Sequence, residues 1–226
     1  MSTGKLVLLH TVSPLIQSFS MLAADLLPGV TVVHILDEPL LERIVRRGGL
    51  ASADVERVQQ HRLMAADIMA DAMLVTCSTI STCVDQVRAW PGIPILKIDD
   101  AMISEGVELG PRIGVIATIA STLEPTRQML LAKAQAAGRP ITIEMRLVEG
   151  ALPALLSGDG DTHDRLVRAV VDELSKSSDV VVLAQASMAR VLSAIPAAER
   201  RVPLLSSPHL ALAQVRTLLF PATTHV

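Results

Sequence analysis

Four consecutive residues carry the strongest chemical signal in this sequence: Thr76-Cys77-Ser78-Thr79. They follow the apolar run Met73-Leu74-Val75, which reads as a buried strand, and they precede a segment with helical spacing from Ile80 to Arg88. A cysteine at such a junction lies beside unpaired backbone N–H groups, which attract anions. The same field lowers a thiol's pKa and raises its thiolate fraction. The hydroxyls of Ser78 and Thr79 add further donors. A thiolate beside a carboxylate-binding nest is equipped for attack, or for proton transfer, at the adjacent carbon. The plain alternative is that Cys77 is a small apolar core residue, as free cysteines often are.

The other reactive residue types are sparse. Cys83 lies inside the following helical segment and reads as core packing. A disulfide between Cys77 and Cys83 would close a tiny loop and stabilise little, so both read as free thiols. His10 ends the first apolar run, either as a proton donor opposite Cys77 or as a hydrogen-bonded structural group. Thr11 and Ser13 follow it, and Ser13 can equally be a helix N-cap before Pro14. Scattered histidines and cysteines argue against a zinc site. Gly48-Gly49 lacks the context of a phosphate loop.

Eight short runs rich in branched residues must position these groups: 5–9, 30–36, 73–76, 94–98, 113–117, 141–148, 180–183 and 202–205. Helical segments separate them, at 14–27, 38–47, 52–72, 80–88, 123–137, 162–177, 188–195 and 208–220. Alternation of this kind predicts parallel sheets covered on both sides. The order also repeats, Ile93-Pro94-Ile95-Leu96 matching Val202-Pro203-Leu204-Leu205. The reading is therefore α/β, as two similar pseudo-symmetric, doubly wound parallel-sheet halves facing each other across a cleft. Residues 1–99 and 207–226 would form the first half and 100–206 the second. Ligands in such folds bind beyond the carboxyl ends of the strands, which would gather residues near 11, 77, 118 and 185.

Composition narrows the function classes. Half of the 226 residues are hydrophobic, enough for a sizeable core. Two phenylalanines, one tryptophan and no tyrosine leave no stacking platform for single-stranded nucleic acid. A net charge of −3 without a basic run argues against a duplex partner. No apolar run approaches the roughly 18 to 20 residues of a membrane span, and the N-terminus lacks a signal-peptide pattern. The expectation is a cytoplasmic protein with neither nucleic-acid nor membrane partners.

Three further segments, taken with the cysteine motif, resemble the aspartate/glutamate/hydantoin racemase superfamily. Ile113-Gly114-Val115-Ile116-Ala117-Thr118 with Ser121-Thr122 resembles the opening strand of that family's second half. Glu149-Gly150-Ala151, Gly158-Asp159 and Thr162-His163-Asp164 are similar to a connecting segment of the hydantoin racemase branch. Val182-Leu183-Ala184-Gln185-Ala186-Ser187-Met188 resembles the second cysteine motif, with Gln185 where the family has its second catalytic cysteine. The resemblance implies a cofactor-independent, homodimeric enzyme acting beside the carboxylate or carbonyl of a small acid or amide. Cys77 and Gln185 would be the catalytic positions, with Thr11, Ser13, Ser78, Thr79, Thr118, Ala186 and Ser187 around the substrate.

Gln185 changes the chemistry. Glutamine does not titrate near neutral pH and cannot be a second base. A single thiol returning its own proton restores the starting enantiomer, unless His10 serves the other face. Racemase-like isomerisation, decarboxylation of a malonate-like acid and silent binding of a small acid all stay open at this point.

Overall fold

The computed structural model describes residues 4–221. The chain divides into two compact units: residues up to Asp100 with those from Pro208 onward, and Ala101–Ser207.

In the first unit the order is β1 (Lys5–His10), α1 (Pro14–Leu26), β2 (Thr31–Leu36), α2 (Glu38–Arg47), α3 (Ser52–Asp67), β3 (Ala72–Val75), a 3-10 turn (Ser78–Ile80), α4 (Ser81–Arg88) and β4 (Ile95–Lys97). The four strands form one parallel sheet in the order β2-β1-β3-β4. After β4 the chain runs through α5 (Asp100–Leu109), β5 (Arg112–Ala117), α6 (Ala120–Ala136), β6 (Thr142–Leu147), α7 (Ala151–Leu156), α8 (Gly160–Leu174) and β7 (Val180–Leu183). A second 3-10 turn (Ala186–Met188), α9 (Ala189–Ala194) and β8 (Leu204–Ser206) complete the second parallel sheet, ordered β6-β5-β7-β8. A third 3-10 turn (Ala197–Glu199) precedes β8, and α10 (Ser207–Leu219) follows it.

The central strands are apolar on both faces because helices cover both faces. Leu6 to Leu9 of β1, all of β3 and all of β7 are buried. Strands β2 and β6, at sheet edges, are only half-buried. Local signals set the helix ends. Asp37 caps α2 by accepting the Leu40 N–H at 3.2 Å, Arg46 and Arg47 lie in its last turn, and Gly48 closes it with φ of 81°. Asp159 caps α8 through the Thr162 N–H at 3.0 Å.

The structure corrects several expected boundaries. The helix expected over 52–72 stops at Asp67, because Met69 turns left-handed (φ 58°) and the chain re-enters the sheet at Ala72. The unassigned stretch after β4 is helix α5, whose Met102, Ile103, Gly106 and Val107 are buried at helical spacing. The segment expected as a connection at 149–158 contains α7. Ser13 stands at the N-cap of α1 without a side-chain capping bond, and its N–H reaches Glu38 Oε1 at 3.3 Å. No described helix is long and apolar enough to cross a membrane.

Gly114, in β5 of the second sheet, leaves no room for a side chain. A Cβ there would lie 2.8 Å from Ser178 Oγ and 3.2 Å from Leu174 Cδ1. Gly114→Ala is expected to destabilise the protein by about 1–3 kcal/mol through overpacking, read as a lower urea midpoint at unchanged slope.

Candidate active site

In each sheet the first and third strands in chain order end side by side. The β1–β3 register pairs Leu9 with Val75, so two places on Thr11 lies beside Cys77. The β5–β7 register pairs Ile116 with Leu183 and likewise sets Thr118 beside Gln185. Past each strand end the chain enters a 3-10 turn, Ser78–Ile80 in one unit and Ala186–Met188 in the other. Both turns leave their first residues half-buried, including Ser78, Thr79, Ala186 and Ser187.

Cys77 is half-buried and rests against the apolar core of its unit. The hydroxyls of Thr11 and Thr79 and the polar backbone of Thr79 and Ile80 lie near it and draw its pKa down, while the Ile80 N–H itself donates to the Cys77 carbonyl oxygen at 3.2 Å. Thr11 is 2% exposed, and its buried hydroxyl has no hydrogen-bond partner among the described residues. The expected lowering of the thiol pKa does not occur. Burial disfavours the thiolate more than these polar groups favour it, so the Cys77 thiol lies above its ordinary range. At rest the group is a protonated thiol, with polar groups in place to favour a thiolate when one forms.

Ser78 was expected to offer its hydroxyl to a bound carboxylate. Instead Ser78 Oγ donates to Asp99 Oδ1 at 2.8 Å, while Ser81 Oγ donates to Asp99 Oδ2 at 2.8 Å. Asp99 was absent from the sequence reading. It is 1% exposed, and burial pushes its carboxyl up to about 6. An acidic residue just after an apolar strand gives no signal by itself, since such a residue ordinarily faces water.

In the second unit Gln185 Oε1 accepts three hydrogen bonds: from Thr118 N–H at 2.5 Å, Thr118 Oγ1 at 3.0 Å and Ile119 N–H at 3.3 Å. The Thr118 hydroxyl, expected to address a ligand, is therefore engaged by the glutamine.

His10 is also corrected. It is fully buried, in edge contact with the Phe19 ring. Thr76 Oγ1 donates to Leu9 O at 3.0 Å and so accepts from His10 Nδ1 at 2.8 Å. His10 Nε2 is 2.9 Å from His34 Nδ1. Burial and the neighbouring His34 lower the His10 pKa to about 4. A neutral imidazole with both nitrogens occupied is a structural group, and not a free proton donor. Cys83 is fully buried, and its thiol is pushed up to about 11. The described residues contain no group of three His, Cys, Asp or Glu side chains that could hold a metal ion.

The model of the Asp/Glu/Hydantoin racemase family matches residues 11–215. The chain belongs to that family. No curated protein sequence matches it. Among solved structures, this family member is similar to the allantoin racemase from Klebsiella pneumoniae (15% identity, 96% of this chain and 87% of that one, TM-score 0.72). It is also similar to a putative Asp/Glu racemase from Yersinia pestis (14% identity, 96% and 99%, TM-score 0.70). A third likeness is to the aspartate racemase of Picrophilus torridus (13% identity, 95% and 93%, TM-score 0.71). At these identities the likeness establishes the fold alone.

The buried His10 gives a pH prediction. Its folded pKa of about 4 lies below the ordinary 6.5. Its contribution to stability is therefore present above pH 6.5 and is lost as pH falls from 6.5 towards 4. Imidazole NMR shifts of His10 should keep their neutral-form values until that lower range.

Proposed function

We propose that this racemase-family chain is a cofactor-independent enzyme that carries out the proton-abstraction half of a racemisation. It transfers a proton at the carbon next to the carboxylate or carbonyl of a small acid or amide, with Cys77 as the acid–base group. The observation that carries the reading is a thiol just past the end of a buried strand, with Thr11 beside it across the sheet and the polar groups of Thr79 and Ile80 drawing its pKa down against burial. The related folds of allantoin and aspartate racemases support substrates of that size and polarity.

The step balances on one thiol. The thiolate removes the proton from the carbon, and the C–H electron pair moves into the adjacent carbonyl group to form an enolate. The new thiol then returns a proton to that carbon, restoring the thiolate. The polar groups around the sulfur favour its charge in the thiolate form. They also counter the burial that otherwise keeps the group protonated. Gln185 supplies no second base, since a carboxamide neither gains nor loses a proton here. The proton is thus removed and returned on one face.

The test is exchange in D2O, followed by NMR, with enantiopure allantoin, aspartate, glutamate and substituted hydantoins. The wild type is expected to replace the hydrogen next to the carbonyl by deuterium while optical purity is kept. Cys77→Ala should lower the rate by at least about 100-fold, the contribution typical of a positioned acid–base group. Undiminished exchange in Cys77→Ala would reject the mechanism. Exchange should rise with pH up to the raised thiol pKa, about tenfold per unit, because only the thiolate is a base.

A further inference from the structure

We infer that Asp99 is a positioning residue for Cys77, holding through Ser78 and Ser81 the turn that follows the thiol. The carboxylate stands just past β4, almost wholly buried. It accepts Ser78 Oγ and Ser81 Oγ, each at 2.8 Å. Ser81 Oγ also lies 3.3 Å from the Cys77 carbonyl oxygen. The two serines flank Thr79 and Ile80; the Ile80 N–H donates to the Cys77 carbonyl oxygen at 3.2 Å, and both residues draw the thiol pKa down. Tying both ends of a short turn to one buried anion fixes the backbone between them.

The second unit provides an internal control. Met73 pairs with Ile95 where Val181 pairs with Leu204. Counting from these pairs, Ser78, Ser81 and Asp99 correspond to Ala186, Ala189 and Pro208. The second unit forms its 3-10 turn and α9 with none of those polar groups. The turn as such does not need the carboxylate. Burying a carboxylate is unfavourable, and it occurs beside the turn that follows the thiol.

The charged groups around Asp99 are Lys97, which draws its pKa down, and Asp100, which draws it up. Lys97 Nζ pairs with Asp85 and Asp100, and Asp100 pairs with Arg88. Burial outweighs them and leaves Asp99 near 6. On gaining a proton the carboxyl becomes a donor on one side, and the serine there must reverse its own hydrogen bond. The grip on the turn then changes just below neutral pH.

The inference rests on the proposed role of Cys77 only for its consequence in catalysis, so the test reads the thiol itself. Iodoacetamide labelling of Cys77 is quantified by mass spectrometry from about pH 5 to 10. The wild-type rate is expected to show an inflection near 6 beneath the thiolate rise. Asp99→Asn keeps one accepting and one donating contact to the serines, and should lose that inflection. The triple variant Ser78→Ala, Ser81→Ala, Asp99→Ala imitates the apolar set of the second unit. At about pH 8 it should label about tenfold more slowly, the effect of a one-unit rise in thiol pKa. Identical profiles in wild type, Asp99→Asn and the triple variant overturn the inference. Should the triple variant not fold, an Asp99→Asn profile that retains the inflection overturns it alone. Shifted profiles without any deuterium exchange support Asp99 while rejecting the proposed reaction.

Discussion

A parallel strand buried on both faces ends with backbone donors that the sheet no longer pairs, and the candidate site is built on that condition. Such donors are costly to leave unsatisfied. Each unit meets the problem with an acceptor placed at the end of its third strand. In the first unit that position is Cys77, whose carbonyl oxygen accepts the Ile80 N–H and whose sulfur has the polar groups of Thr11, Thr79 and Ile80 near it. In the second it is Gln185 Oε1, addressed by Thr118 and Ile119. The frame is the same and the side chain decides the chemistry, because sulfur can take and release a proton and an amide oxygen cannot.

Burial then sets the resting state. The surroundings whose polar groups draw the Cys77 pKa down also withdraw water from it, and the second effect prevails. The site is thereby a store for a proton, with the charge of the thiolate accommodated only transiently. The same competition runs through Asp99 and His10. Loss of water raises the carboxyl and lowers the imidazole, because each group favours its neutral form. Three buried titratable groups, at neighbouring strand ends of one sheet, are all moved towards neutrality.

Much of the fold was legible from order and periodicity. The eight apolar runs became the eight strands, and Asp37, Gly48 and Asp159 mark helix ends as their chemistry requires. The misses have local causes. Asp67 to Ala72 keeps a helical apolar pattern across a left-handed turn, so periodicity ran past the true end. The α5 segment has buried positions at helical spacing, but its neighbouring acidic residues hid the signal. Cys77 was found because a cysteine between a buried strand and a turn is unusual in itself. Asp99 was not, because an aspartate after a strand ordinarily faces water.

The amino-acid sequence by itself determined which positions stand at the strand ends, since a buried parallel strand must be an unbroken apolar run and its end is visible. That places Thr11, Cys77, Thr118 and Gln185 without coordinates. Only the tertiary structure decided what each of them touches. Ser78 finds Asp99 across 21 residues, and Thr118 finds Gln185 across 67. Hydrogen-bond direction and proton affinity depend on which groups close over a side chain and exclude water, and those groups come from distant parts of the chain.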